Sequence, residues 1–184
     1  MLFRSSAWLV EPGYLIASPQ LRDPNFQRTV VLLLEHDSER ALGVVINRES
    51  PVRLGDVVER LVAGATLRAN RPVLAGGPVE RGAGFVLFRG RAQEGWQLRP
   101  DFAVSASRER LSALVAASAE FHLCLGYAGW GAGQLDREFA EGSWLYVEPD
   151  PSLLFDTPIA DRYDRALAQL GVRADTLWMS PINE

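Results

Sequence analysis

The sequence predicts an α+β fold from two patterns. Short segments rich in Val, Leu and Ile, separated by turn residues, are concentrated in the first half of the chain and are typical of neighbouring strands. Segments with apolar residues three and four positions apart lie between and after them, which indicates amphipathic helices. The 184 residues, 47% of them hydrophobic, are enough to bury a substantial core, and we expect one domain over residues 1–184.

The first elements are three strands and a helix. We predict strands at residues 14–17, 29–36 and 41–47, because each is apolar and each is followed by turn residues. Residues 54–62 are predicted to be helical, because five apolar side chains recur there at the spacing of one helix face, and Gly64 supplies a stop. These elements predict a sheet core with an amphipathic helix after it.

The middle of the chain resembles a meander followed by a helix. Further strands are predicted between Gly-Gly-Pro, Arg-Gly-Arg and Glu-Gly breaks, at residues 73–75, 85–88, 96–98 and 102–104. A second helix contains Leu111, Leu114 and Val115 on one face, with Ser107 as its N-cap. The apolar strand at residues 121–125 is predicted to be buried on both faces.

The last third begins with a glycine-rich segment. We predict a short polar helix at residues 134–141, with Gly142 directly after its end, and then a strand at residues 143–147. Pro158 is placed to open a final amphipathic helix, which Gly171 ends.

Composition excludes several kinds of protein. All 19 basic side chains are arginines, so a Schiff-base lysine and a phosphate-binding lysine are both excluded. Cys124 is the only cysteine, so no internal disulfide can form. The longest aliphatic run, at residues 30–34, is far below the roughly 20 residues of a spanning helix. We expect a cytoplasmic protein without a membrane segment.

Charge is distributed unevenly along the chain. Residues 68–99 contain six arginines and two glutamates, whereas residues 132–184 contain ten acidic residues and four arginines. Direct nucleic-acid binding by a transcriptional regulator through residues 68–99 is the weakest functional alternative, because the net charge is −4 and no aromatic residues alternate with the arginines. Solvated faces, or pairing with the acidic part of another copy, explain the basic stretch, and the oligomeric state stays open.

The most distinctive motif is the glycine-rich segment at residues 126–133. It joins an apolar strand to a polar helix, and backbone N–H groups at such a helix start attract anions. We therefore expect an exposed binding site there, bordered by two turns. The candidate site residues are Gly129, Trp130, Gly131, Gly133, Gln134 and Glu138 in and after the segment, and Asn47, Arg48, Gly76, Gly77 and Pro78 in the turns.

Three interpretations of this motif stay open. A binding or regulatory protein would present the segment to a protein partner or a small anionic ligand. An enzyme or nucleotide-responsive sensor would use it as an anion cradle, although the third glycine of a dinucleotide fingerprint is missing. Alternatively, the glycines form a tight turn that lets Trp130 and Trp144 pack closely.

No chemical centre is predicted. His122 and Cys124 share one face of a strand, but two ligands are too few for a zinc site, even if Glu35, His36 and Asp37 are considered as additions. A nucleophile elbow is absent from the sequence, and apolar residues flank the cysteine. We therefore predict no catalytic residue, no metal site and no cofactor.

Four blocks of the sequence resemble the YqgE/AlgH family of bacterial proteins. They are residues 14–19, residues 41–48, residues 76–79 with 85–87, and residues 126–145, and the resemblance extends to about Gly171. It implies a small, closed or strongly coiled, mostly antiparallel β-barrel or sheet that is surrounded by helices.

The resemblance implies no particular reaction. Members of the family carry a transcriptional-regulator label from an association with the control of alginate synthesis, but no helix-turn-helix pattern here supports direct DNA reading. The family usually has a histidine where this chain has Phe88, so no ligand or general base is expected at that position.

Overall fold

The computed structural model describes residues 10–67 and 70–171. These residues form the strands β1 (Gly13–Ala17), β2 (Val30–His36), β3 (Ala41–Val45), β4 (Glu49–Arg53), β5 (Pro72–Ala75), β6 (Val79–Phe88), β7 (Trp96–Arg99), β8 (Phe102–Ser105), β9 (Phe121–Trp130) and β10 (Trp144–Val147). They also form the helices α1 (Leu54–Leu61), α2 (Arg108–Ala116), α3 (Gln134–Ala140), α4 (Ser152–Phe155) and α5 (Arg162–Gln169), with a single 3₁₀ turn at Ile159–Asp161.

The strands form one sheet that branches at β9. The main order is β10-β1-β2-β3-β9-β6-β8-β7, and β4 and β5 lie off this path. The first half of β9 pairs with β6 on one edge and, in parallel, with β5 on the other. The last three residues of β9 pair with β3 instead. One edge of β9 is thus shared by two strands, and all other ladders in the described part are antiparallel.

The predicted mixture of helices and mostly antiparallel strands is confirmed. Of the predicted alternatives, a closed barrel or a strongly coiled sheet, the closed barrel is wrong. The sheet is open between β7 and β10, its two end strands. A closed barrel needs a continuous ring of strand neighbours, and the branch at β9 takes β4 and β5 out of such a ring. Side chains cross the gap between the end strands, where Arg99 Nη2 lies 2.6 Å from Glu148 Oε2.

Apolar side chains on the two faces of the sheet form two clusters. Along β6 they alternate, so that Phe85 belongs to the larger cluster and Val86 to the smaller one. The larger cluster includes residues of β1, β2, α4 and α5, and the smaller one includes residues of α1 and α2. Leu123 and Cys124 of β9 lie in different clusters, which confirms that this strand is buried on both faces.

Local signals explain most helix ends. Ser107 is the N-cap of α2, as predicted, and its Oγ accepts a hydrogen bond from the Arg110 amide at 3.2 Å. Gly142, after α3, has a φ of +77°, and Gly171, after α5, has a φ of +69°. The final helix begins at Arg162, later than predicted, because the 3₁₀ turn occupies the residues after Pro158.

Other boundaries and elements also differ from the predictions. β4 differs from the predictions, because its sequence is polar and contains Pro51. A proline is tolerated in an edge strand, which β4 is. α4 has only four residues and carries no periodic signal. β9 continues through the first glycines of the glycine-rich segment and ends at Trp130.

Arg162, the first residue of α5, is a charged side chain inside the core. It is 2% exposed, and no other charged residue in the described ranges is buried to this degree. Its guanidinium donates to three backbone carbonyls, those of Ile46, Leu154 and Thr157. Burial lowers the pKa of Arg162 from its ordinary value. Through these hydrogen bonds, Arg162 of α5 links α4 to the end of β3.

Among the described helices, none combines the length and the apolar character that crossing a membrane would require.

Candidate functional site

The glycine-rich segment is partly strand and partly turn. Gly129 lies within β9, opposite Leu42 of β3, so only residues 131–133 are outside regular structure. Gly133 is the N-cap of α3 and has a φ of +68°, a conformation that favours glycine. The backbone of Gly129 and Gly131 is exposed, so the segment does reach the surface.

The expectation of open amides is wrong for two positions of this segment. The Gly131 amide donates to Gln134 Oε1 at 3.1 Å, and the Gln134 amide donates to the Gly131 carbonyl at 3.1 Å. These internal bonds use N–H groups that an anion would need, and α3 has only seven residues. The end of the segment is a turn that the Gln134 side chain closes.

Glu138, in α3, accepts hydrogen bonds from three side chains. Its Oε2 accepts hydrogen bonds from the indole nitrogens of Trp130, at 2.7 Å, and Trp144, at 3.0 Å. Its Oε1 accepts from Gln134 Nε2 at 3.2 Å. Trp130 and Trp144 are each 3% exposed, and Gln134 and Glu138 are half-buried. The predicted site residues Trp130, Gln134 and Glu138 therefore bond to one another at the edge of the core.

Phe26 completes this aromatic cluster. Its ring stacks on Trp130 with centroids 5.9 Å apart, and it meets the edge of Trp144 at 5.7 Å. The two indoles are perpendicular, at 5.9 Å. Phe26 therefore packs against Trp130 within the glycine-rich segment and against Trp144 at the start of β10.

Asn47 and Arg48 hold the same segment from the other side. The Asn47 side chain accepts from the Val30 amide and donates to the Arg28 carbonyl, both at 2.8 Å. The Arg48 guanidinium donates to the carbonyls of Pro24, Asn25 and Gln27. The predicted turn residues thus act through backbone contacts to this segment.

Glu138→Ala is expected to lower the free energy of unfolding by about 2 kcal/mol or more, because two buried indole N–H groups would lose their acceptor. Urea unfolding followed by circular dichroism measures the change. Glu141→Ala is the matched control, since Glu141 is exposed just after the same helix. Equal stability of the two variants would contradict this role of Glu138.

Gly76 and Gly77 lie where two chain segments cross. A Cβ on Gly76 would come within 2.3 Å of the Gly126 carbonyl oxygen, and one on Gly77 within 2.2 Å of the Tyr127 carbonyl group. Gly126 has a φ of +80°, and a Cβ there would lie 2.5 Å from the Gly77 carbonyl oxygen. These glycines are required by the close approach of β5 and β9.

An apolar groove lies elsewhere, between α1 and α2 on the face of β6 and β9. Its volume is ≈ 600 Å³, within the range of about 300–1,000 Å³ that is usual for ligand sites. The floor is formed by Gly82, Gly84, Val86, Leu123 and Leu125, and the walls include Val57, Leu61 and Leu111. Asp56, Arg60 and Arg108 also line it. We call this cavity the groove.

A second cavity of ≈ 360 Å³, here called the side pocket, adjoins the groove. The two share Val52 and Leu125 as lining residues. Arg48, Gly77 and Pro78 line the side pocket, so three predicted site residues border a cavity. The structure thus separates the candidate residues into the buried cluster around Glu138 and a smaller set beside the groove.

The candidate metal ligands on β9 are poorly placed for chemistry. Cys124 is fully buried, and burial raises the pKa of its thiol to about 12. Burial, with further contributions from Arg162 and Arg71, lowers the pKa of His122 to about 3. In the described ranges, no group of three or more His, Cys, Asp or Glu side chains could hold a metal ion.

The other histidine is fixed by internal contacts. His36 Nδ1 accepts from the Val10 amide at 2.9 Å, and Nε2 lies 3.3 Å from Asp136 Oδ1. That second distance suits an ion pair, but the two atoms lack hydrogen-bond geometry. His36 therefore links β2 to α3.

Among the described residues, three arginines of the basic stretch form ion pairs with carboxylates of the same chain. Arg71 pairs with Glu120, and Arg89 pairs with both Asp101 and Asp156. Arg99 pairs with Glu148, as described above. Pairing with another copy was one of two explanations for the basic stretch, and for these three arginines the same chain supplies the acidic partners.

Sequence reasoning missed the groove and Arg162. The signal for the groove was the Arg-Gly-Ala-Gly sequence of β6, where two glycines on one face leave space over the strand. The signal for Arg162 was its spacing, since it lies four residues before Ala166 on the buried face of the last helix.

The fold and the groove define a mixed α/β protein with an open, branched sheet and an apolar cavity on one face. Comparison with known proteins gives the family: the chain belongs to the AlgH-like family, whose model matches residues 14–175. The resemblance inferred from the four sequence blocks is thereby confirmed.

Relatives and solved structures agree with this assignment. A UPF0301 protein of Photobacterium profundum is 39% identical over 174 residues, covering 89% of this chain and 93% of the relative. One from Anaeromyxobacter dehalogenans is 41% identical, covering 88% of each chain. The solution structure of the AlgH protein from Pseudomonas aeruginosa has a TM-score of 0.74, 37% identity and complete coverage of both chains. A Corynebacterium diphtheriae protein has a TM-score of 0.69 at 21% identity, covering 91% of this chain and 94% of its own, and supports the fold alone.

Proposed function

We propose that this protein is a non-enzymatic binding protein that takes a small ligand in the groove between α1 and α2. The observation that carries the proposal is the pair of glycines on the floor. A Cβ on Gly82 would meet nothing within 4 Å, and one on Gly84 would make ordinary contacts of 3.7 and 3.9 Å with Leu123 and Leu125. Neither has the positive φ that demands glycine.

These two glycines differ from those at the strand crossing. Gly76 and Gly77 are required because a side chain would collide with the backbone, whereas Gly82 and Gly84 have room for one. A glycine inside a strand lowers its stability, and it marks either a bulge or the close approach of another molecule. β6 shifts its register against β9 between Val79 and Gly84, but the space above Gly82 and Gly84 exceeds what a bulge needs. The empty space over β6 therefore supports a ligand as the missing partner.

The lining supports binding more than catalysis. The described lining of the groove contains no histidine or cysteine, and its serine, Ser107, is the N-cap of α2. The Ser107 hydroxyl also donates to Glu109 Oε2 at 3.0 Å. Any regulatory effect is proposed to depend on ligand binding in the groove. DNA binding is a weaker explanation, because three arginines of the basic stretch already pair with carboxylates instead of being free for phosphates.

Amide spectra of the isotope-labelled protein, recorded with a library of small fragments, test the site. We expect binding fragments to shift the amides of Gly82, Gly84 and Leu111. Gly84→Leu puts a side chain on the floor of the groove at a position without positive φ, and it should remove the shifts at Gly82 and Leu111. Gly131→Ala, at a glycine with nothing within 4 Å of its Cβ position, should keep them. Shifts confined to residues 129–133, or shifts that survive Gly84→Leu, would contradict the proposal.

A further inference from the structure

Three arginines beside the groove lack a carboxylate partner within the part of the chain that the structure describes. Among the residues that the structure describes, Arg60, Arg81 and Arg108 have no acidic oxygen within the 4.0 Å of an ion pair. Arg81 belongs to the basic stretch, and two other arginines of that stretch, Arg71 and Arg89, are paired. Unpaired guanidinium groups next to an apolar cavity are available to an anion.

The charge that lines the two cavities is strongly one-sided. Arg60 and Arg108 line the groove and Arg48 and Arg81 line the side pocket, whereas Asp56 is the one carboxylate among the described lining residues. Arg48 already donates to three carbonyls, but these neutral partners leave its charge in place. The field over the groove therefore attracts negative charge.

The body of the groove is apolar. Leu111 is buried on one wall, and Leu61 on the other wall is 36% exposed, an unusual exposure for a leucine in this structure. Val52, where the groove meets the side pocket, is 38% exposed. Such a surface gains stability when an apolar chain covers it.

We infer that the groove takes an amphiphilic monoanion of the class of a medium-chain carboxylate, free in solution. The apolar chain lies on the floor of β6 and β9, and the carboxylate meets Arg60 and Arg108. This inference rests on the proposed function and adds the ligand class to it.

Three probes of equal chain length test the ligand class. Octanoate, octanol and octylammonium are titrated at pH 7 into the full chain, and the shifts of the Gly82, Gly84 and Leu111 amides give each dissociation constant. We expect octanoate to bind about tenfold or more tightly than either other probe. Equal or tighter binding of octanol or octylammonium overturns the inference but leaves the groove as the binding site. Absence of octanoate binding overturns the inference, and the fragment screen then decides the proposed function separately.

Two exposed arginines supply the matched variants. Arg60→Gln combined with Arg108→Gln should bring the octanoate affinity close to that of octanol and leave octanol binding unchanged. Arg165→Gln, at an exposed position of α5, is the control and should change neither affinity. Unchanged octanoate binding by the double variant overturns the inference, as does an equal loss of octanoate binding in the control.

Discussion

Replacement of Gly77 by alanine is expected to lower the free energy of unfolding by about 4 kcal/mol or more. The new Cβ would lie 2.2 Å from the carbonyl carbon and oxygen of Tyr127. Both atoms belong to the backbone, so no side-chain rotation relieves the overlap. The φ of +152° at Gly77 adds strain for any residue with a side chain. Urea unfolding measures this loss of free energy of unfolding. A variant that does not fold at all would have lost more than this amount and would agree with the prediction.

The control is Gly131→Ala, because a Cβ at Gly131 meets nothing within 4 Å and its φ is not positive. Its stability should stay within about 0.5 kcal/mol of the natural chain. A loss below about 1 kcal/mol for Gly77→Ala would show that β5 and β9 separate at little cost, and would contradict the account of the strand crossing.

Arg162→Met is expected to lower the free energy of unfolding by about 3 kcal/mol. The variant removes the donors for three carbonyls in the core, and methionine fills the space without replacing them. Removal of a buried charge offsets part of the loss, since burial disfavours the charged guanidinium. Arg162→Lys should recover only part of the stability, because an ammonium group cannot reach three carbonyls in the geometry of the planar guanidinium.

Arg165→Met is the matched control on the same helix. Arg165 is exposed, so its replacement should change the stability by no more than about 0.5 kcal/mol. If Arg162→Met and Arg165→Met have the same stability, the role assigned to Arg162 is wrong.

Local chemistry allowed much of the fold to be predicted. Ser107 marked the start of α2, and the helical spacing of apolar residues marked α1. Strand pairing was harder to predict, because an alternation of apolar residues shows that a strand is buried but not which strand lies beside it. The open, branched sheet depends on how β9 divides its edge between β3 and β5, and no local pattern encodes that choice.

The candidate site shows the same limit. Glycines at 76, 77, 131 and 133 look alike in sequence, yet some allow two backbones to cross and others form an exposed turn. Trp130 and Glu138 are candidates by sequence because they lie in and after a segment expected to be exposed, but in the structure the Trp130 indole donates to Glu138. The cytoplasmic location stays a prediction.

The strand order also constrains how the protein folds during synthesis. β1, β2 and β3 leave the ribosome first, but β3 completes its pairing with β9 and β1 with β10, both made more than 70 residues later. At synthesis rates of about 5–20 residues per second, these edges stay bare for on the order of ten seconds. Bare edges of apolar strands pair readily with other chains. During this interval the nascent strands β1, β2 and β3 are therefore prone to aggregate, and a chaperone would protect them.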